Sequence, residues 1–140
     1  MNALVALSAL LPLALAATGL RRVPAQRVLT LRRLGRYRRT LGPGWHWIVP
    51  GLERIGGGAD LIGHHLHVRG GGSQEAELYY QIMEPEKAGE TLDQVDAWVA
   101  DQAREALVQT ASTPDQLKSE LNRRVARLGL RVVRCSLHVA

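Results

Sequence analysis

The stretch 26–50, QRVLTLRRLGRYRRTLGPGWHWIVP, decides the fold of this chain. Its first part alternates with the two-residue period of a half-buried strand. One face carries Leu29 and Leu31, and the other carries Val28, Thr30 and Arg32. Gly35 then interrupts the pattern, because glycine tolerates backbone conformations that end a strand. We therefore predict that the first strand ends at this glycine.

A second strand is predicted after the turn Gly42-Pro43-Gly44, where glycine permits positive φ and proline fixes its own. Trp45 and Trp47 share one face of an alternating segment that ends at Pro50. The two predicted strands are thus joined by a basic connection.

Charge is divided unevenly along the chain. Residues 1–52 contain eight arginines and no acidic residue, whereas residues 53–140 contain ten basic residues against thirteen acidic ones. The formal net charge of +5 therefore combines a strongly basic start with a mildly acidic remainder. This asymmetry predicts an anionic partner near the N-terminus, either a lipid surface or a nucleic acid.

The N-terminal segment 3–20 is apolar apart from Ser8 and Thr18, and it contains Pro12 and Gly19. Its length is at the lower end of what a helix needs to cross a bilayer. We predict a hydrophobic anchor over residues 1–22 and a single domain over residues 23–140. Two alternatives stay open: a cleaved signal peptide with an A-x-A-like site at 14–16, and a soluble core helix.

The anchor interpretation also predicts sidedness. Eight arginines follow the apolar segment, so the positive-inside rule places the domain on the cytoplasmic side. Basic side chains near an anionic leaflet contribute about 1 kcal/mol each, and indole rings prefer the headgroup level. The predicted membrane-surface residues are Arg21, Arg22, Arg32, Arg33, Arg36, Arg38, Arg39, Trp45 and Trp47.

The second half of the chain predicts strands and two helices. Residues 76–83 alternate as a strand, and Thr91 and Thr113 are each predicted to cap a helix. Residues 131–139 form a last strand, and the glycine runs 56–58 and 70–72 are expected to be flexible connections. The predicted apolar face of the last strand is Val133, Cys135, Leu137 and Val139. The fold class is α+β, a mostly antiparallel sheet covered by two helices after the N-terminal anchor helix.

Chemistry-bearing residues are few. On a strand His65 and His67 share a face and are candidates for zinc or copper, although a polar edge strand is the simpler interpretation. Cys135, the only cysteine, is expected to be a buried structural thiol. No nucleophile stands beside a histidine and no carboxylates are paired in an apolar setting. We therefore expect no enzymatic activity, cofactor or metal.

Two groups of residues occur in a recognisable order. The first contains Gly35 and Tyr37, the Pro43-Gly44 turn, an aromatic-rich strand and Pro50. The second contains Tyr79, Tyr80 and Ile82, followed by Pro85 and Ala88. Together they resemble the SPFH (band 7) superfamily of stomatins, prohibitins and flotillins. The similarity covers residues 23–140 and is weakest between 56 and 74.

The resemblance implies a scaffold that binds membrane lipids and organises membrane patches, or that modulates a membrane protease or channel, without chemistry of its own. Family members typically continue into a long charged helix that drives ring or cage assembly. That helix would begin where this sequence stops, so we expect a short member or a fragment, with weaker self-association through the domain. A nucleic-acid-binding module using the basic cluster 32–39 is the alternative function, although it lacks a recognised motif.

Overall fold

The computed structural model describes residues 2–109 and 113–139, which contain eight strands and four α-helices. In chain order they are α1 (Asn2–Thr18), β1 (Leu20–Val23), β2 (Arg27–Arg33), β3 (Arg36–Leu41), β4 (Gly44–Trp47), β5 (Glu53–Asp60), β6 (His64–Arg69), β7 (Gln74–Ile82), α2 (Pro85–Ala88), α3 (Val95–Gln109), α4 (Pro114–Val125) and β8 (Leu130–Val139). Short 3₁₀ helices, Gly89–Gln94 and Ala126–Leu128, precede α3 and follow α4. The predicted α+β class is confirmed.

The strands form three small antiparallel sheets. Strand β1 pairs with β4, β2 lies between β3 and β5, and β7 lies between β6 and β8. At one corner the Leu61 N–H donates to Gln26 C=O, and Ile82 N–H donates to Leu61 C=O. These two bonds connect the second sheet to the third. The predicted antiparallel pairing is therefore correct, but the sheet is divided rather than continuous.

The helices cover the β6–β7–β8 sheet, as their apolar spacing predicts. Strand β7 buries alternate residues, Ala76, Leu78, Tyr80 and Ile82. The helical segments contribute Leu92, Val95, Val99, Ala103, Leu107, Leu117, Leu121 and Val125 to the same core. Burial of each large apolar side chain stabilises the fold by about 1.5–3 kcal/mol. This core holds the helical half of the domain together.

A second, smaller core lies between the β3–β2–β5 sheet and the two-stranded β1–β4 ribbon. It consists of Val23, Leu31, Leu41 and Ile48. Strand β2 consequently has both faces covered, since Leu31 packs in this core while Val28 packs in the main one. The predicted alternation is correct, but the prediction of a half-buried strand is wrong. The sequence does not indicate this cover, because only Val23 of the four β1 residues is buried.

The basic segment after Gly35 is a strand rather than a connection. Leu34 and Gly35 form a two-residue loop with positive φ values of 51° and 80°, which is the conformation that tight hairpins require. Strand β3 returns alongside β2. The tryptophan-bearing strand β4 then pairs with β1 and not with β2.

The glycine run 56–58 lies inside β5, so the prediction of a flexible connection there is wrong. A Cβ at Gly57 would lie 2.6 Å from the Asp93 carboxylate, and one at Gly58 would lie 2.6 Å from Val28 C=O. These glycines therefore permit close approach of the strand to its neighbours. The second run does connect two strands, β6 and β7.

The two predicted helix starts have different outcomes. Thr113 caps α4 through its Oγ1, which accepts from Gln116 N–H at 3.3 Å, and Pro114 occupies the first turn. The capping box at Thr91 does not form, because that segment is a 3₁₀ helix and α3 begins at Val95. The neighbouring carboxylate of Asp93 instead binds side chains of β2.

Strand β8 does not present the predicted apolar face throughout. Its register with β7 shifts between Tyr79 and Tyr80, and this bulge changes which side chains face the helices. Leu130 and Val132 are buried, whereas Val133 and Val139 are exposed. The prediction placed Val133 wrongly because a bulge leaves no trace in a regular alternation, whereas Val139 shares the face of Cys135 and Leu137 but lies at the end of the strand, opposite Gln74.

Cys135 lies half-buried on β8, and burial raises the pKa of its thiol to about 11. We expect slow alkylation by iodoacetamide at pH 8 in the native state. Because the folded pKa lies above the usual value of about 8.5, the thiol stabilises the fold below that value and loses this contribution as pH rises through 11. The test compares the free energy of unfolding of the wild type and Cys135→Ala across that range. A difference that does not change with pH would contradict it.

Candidate membrane-binding surface

Helix α1 contains no charged side chain, and none of its residues is buried. None of the helices in the described part of the chain is long and apolar enough to cross a membrane. Within the domain such a helix would normally bury one apolar stripe against a neighbour, yet α1 lies free of both cores. It thus presents apolar side chains on every side.

A tight joint connects α1 to the domain. Trp47 Nε1 donates to Ala16 C=O in the last turn of α1 at 2.7 Å, and Ile48 N–H donates to Gly19 C=O at 2.8 Å. A Cβ at Gly19 would overlap Ile48 C=O, so only glycine permits this approach. The joint fixes the helix to strand β4 with one residue between α1 and β1.

The outward side of the β1–β4 ribbon is amphipathic. Cross-strand register places Leu20 beside Trp47 and Arg22 beside Trp45, and such neighbours share a face. We call these four residues the ribbon face. Trp45 is 64% exposed and Trp47 is 49% exposed. The Arg22 guanidinium lies 5.9 Å from the centre of the Trp45 ring, within cation–π range.

The other predicted surface arginines, apart from Arg32, lie at the ribbon, beside the β2–β3 loop and within β3. Arg39 Nη2 donates to Trp47 C=O at 3.2 Å, which brings it to the ribbon. Arg33 and Arg36 are opposite each other beside the β2–β3 loop. The remaining exposed members of the set are Arg21, which pairs with His46, and Arg38, at the register shift between β2 and β3.

Arg32 is placed differently from the rest of the set. Its Nη2 donates to Asp93 Oδ2 at 3.1 Å, and its Nη1 lies 3.6 Å from Glu90 Oε1. The same Asp93 accepts from the hydroxyl of buried Thr30 at 2.6 Å. Arg32 therefore binds the helical half of the domain. Its partner lies 61 residues away in sequence, and no local pattern marks such a contact.

The residues that resemble the SPFH motif occupy structural positions. Gly35 closes the β2–β3 loop and Gly44 begins β4 with a φ of 122°, after Pro43. Tyr37 lies half-buried with its hydroxyl 2.8 Å from that of Thr40. The others lie in β7 (Tyr79, Tyr80, Ile82), in α2 (Pro85, Ala88) and in the turn after β4 (Pro50).

Tyr80 belongs to a polar cluster that the sequence did not indicate. Its hydroxyl donates to Asp96, whose Oδ1 also lies 2.9 Å from His64 Nδ1. His64 Nε2 is 2.5 Å from Asp60 C=O. Burial, followed by the Asp96 bond, raises the pKa of Tyr80 well above its usual range. The cluster thus joins β6 and β7 to the start of α3.

His65 and His67 lie on β6, at the edge of the third sheet. Strand β6 is an edge strand, as predicted, and His65 stacks on Tyr79 at 4.4 Å between ring centres. His67 lies 3.3 Å from Glu75. Among the described residues no group of three His, Cys, Asp or Glu side chains is placed to hold a metal ion.

Comparison with known proteins adds no relative. No family model and no curated protein matches the chain. The resemblance to SPFH domains therefore stays a prediction based on the two motif groups described above.

Proposed function

We propose that the protein is a membrane-attached scaffold of the SPFH type, with its domain on the cytoplasmic side. One observation supports this above all: an exposed, uncharged helix is hydrogen-bonded to a face that combines two tryptophans with an arginine. Tryptophan and arginine are the residues that anchor proteins at the headgroup level of a bilayer. The domain would then lie with the ribbon face at the lipid surface.

The dimensions of α1 are compatible with entry into a bilayer. Its 17 residues extend for about 25 Å, against a hydrocarbon core of about 30 Å. The helix is therefore shorter than the hydrocarbon core, which suits entry into one leaflet without crossing it. In the proposed monotopic arrangement, Arg22 and the two indoles lie among the headgroups.

The proposed partners follow from the same arrangement. Exposed arginines near the ribbon attract anionic lipids, while the acidic second half of the chain is available to proteins. A membrane protease or channel is the kind of partner that the SPFH resemblance implies. Self-association is part of the proposal, since β6 and β8 are edge strands of their sheet.

Nucleic-acid binding through residues 32–39 is the second candidate from the sequence. Within that cluster Arg32 is paired with Asp93, and the Tyr37 hydroxyl is bonded to Thr40. No observation in the described part of the chain favours this candidate over lipid. Salt separates the two, because nucleic-acid complexes of this kind dissociate as ionic strength rises.

We expect the full chain to float with phosphatidylcholine–phosphatidylserine vesicles and to remain bound in high salt. Brominated lipids should then quench Trp45 and Trp47, which lie at the proposed interface, but not Trp98 on α3. The chain offers matched variants: Trp98→Phe retains the interfacial pair, and the double variant Trp45→Phe/Trp47→Phe retains only Trp98. Equal quenching in both variants, or a chain that stays in the aqueous fraction, would refute the proposal.

A further inference from the structure

The tip of the β2–β3 hairpin exposes a second apolar patch. Leu34 is 79% exposed, and Leu52 and Ile55 beside it are each about two-fifths exposed. Leu34 N–H donates to Leu52 C=O at 3.2 Å, so the loop and the start of β5 form one surface. A shallow pocket of ≈ 370 Å³ lies between them. We call Leu34, Leu52 and Ile55 the hairpin tip.

Leu34 is also an unusual residue for its backbone conformation. Its φ of 51° lies in the left-handed region, which disfavours leucine. Tight hairpin loops prefer Asn at such a position. The leucine contributes little burial to the domain in return, since it is exposed. A contact outside the domain would account for a strained and exposed apolar residue here.

Charge around the hairpin tip favours an anionic surface as that contact. Arg33, Arg36 and Arg54 are exposed beside it. Glu53, the nearest acidic residue in β5, accepts from Val49 N–H through Oε2 at 2.9 Å. Glu90 Oε1 lies 3.6 Å from Arg32 Nη1, so this acidic side chain is paired with an arginine. Apolar side chains ringed by basic ones are typical of segments that enter the headgroup region of anionic membranes.

The hairpin tip lies close enough to the ribbon face to reach the same surface. Leu52 follows Trp47 by five residues, which span at most about 17 Å. Ile55 pairs with Leu31, so it lies on the side of the sheet that faces the ribbon core. We infer that the hairpin tip is a second membrane contact, which inserts Leu34 into an anionic leaflet beside the ribbon face. This inference rests on the proposed membrane attachment and adds a separate point of contact to it.

A labelled variant tests the insertion directly. The variant Cys135→Ser/Leu34→Cys carries an NBD fluorophore at the tip, and Cys135→Ser/Ser73→Cys carries it on the β6–β7 turn as a control. With phosphatidylcholine–phosphatidylserine vesicles we expect a blue shift and a several-fold rise in emission at position 34 and neither at position 73. The rise should be smaller on vesicles of phosphatidylcholine alone. A chain that floats while the label at 34 stays unchanged would overturn the second contact and leave the attachment intact. A chain that does not float would overturn both.

A second pair of variants covers the case in which labelling disturbs the fold. Leu34→Asn suits the loop conformation and should leave the melting temperature unchanged or higher. Its partitioning into anionic vesicles should fall about tenfold, as expected for losing one inserted leucine. Val108→Asn removes a side chain that is 72% exposed on α3, and it should bind as the wild type does. Equal binding of the wild type and Leu34→Asn would contradict the inference. A label response at position 34 that grows with protein concentration in the absence of vesicles would also contradict it, because it would indicate a contact between copies of the chain.

Discussion

The double variant Leu7→Arg/Leu11→Arg should lose membrane binding almost completely while its domain remains folded. Both leucines are exposed on α1 and none of the α1 residues is buried, so the change removes no packing from either core. An arginine near the centre of a membrane-inserted helix costs about 2.5–3.5 kcal/mol. Two of them correspond to a loss of at least about 10³-fold in partitioning. Vesicle flotation measures the effect.

The matched control for that variant is Leu7→Met/Leu11→Met, which keeps the helix apolar. It should float as the wild type does, and thermal unfolding should give the same midpoint for all three proteins. If the arginine variant still floated, α1 would not be the attachment segment. A lowered melting temperature in that variant alone would show that α1 packs against the domain.

Replacing Asp93 with alanine should destabilise the fold by about 2–4 kcal/mol. The Asp93 carboxylate accepts from Thr30, whose side chain is fully buried, and pairs with Arg32. Without the Asp93 carboxylate, the Thr30 hydroxyl loses its hydrogen-bond acceptor and the Arg32 guanidinium loses its closest counter-charge. Urea unfolding monitored by circular dichroism measures the free energy of unfolding.

A double-mutant cycle makes the assignment specific. Thr30→Val removes the hydroxyl that Asp93 satisfies, so Asp93→Ala should cost less in that background than in the wild type. Glu90→Ala is the matched acidic control, because Glu90 is largely exposed and lies 3.6 Å from Arg32. It should change stability by less than about 1 kcal/mol. Additive effects of the Thr30 and Asp93 substitutions would contradict the proposed hydrogen bond.

Sequence patterns predicted the helical half of the domain best. The alternation of β7 and the cap at Thr113 follow from local rules of strand and helix geometry, and both are present. Two of the errors share one physical cause: they depend on contacts between distant segments. The β1–β4 ribbon covers one face of β2, and the glycines of β5 are needed because Asp93 approaches the strand from more than thirty residues away.

The candidate surface was predicted in part. Composition indicated the apolar segment, the arginines and the tryptophans, and the structure groups Arg22, Trp45 and Trp47 on one face. Composition could not separate Arg32 from the surface arginines, because an arginine that pairs with a distant carboxylate has the same local sequence pattern as a solvated one. Leu34 was missed for a similar reason. An exposed leucine is unremarkable in sequence until its backbone conformation is known.

The joint at Gly19 has a consequence for how the molecule would sit on a bilayer. The Trp47 indole is hydrogen-bonded to the last turn of α1, and only one residue separates α1 from β1. Any inclination of α1 within the lipid would therefore rotate the whole domain through the same angle. Bilayer thickness would in this way determine the distance of the domain's helices from the membrane and the direction in which they face other proteins.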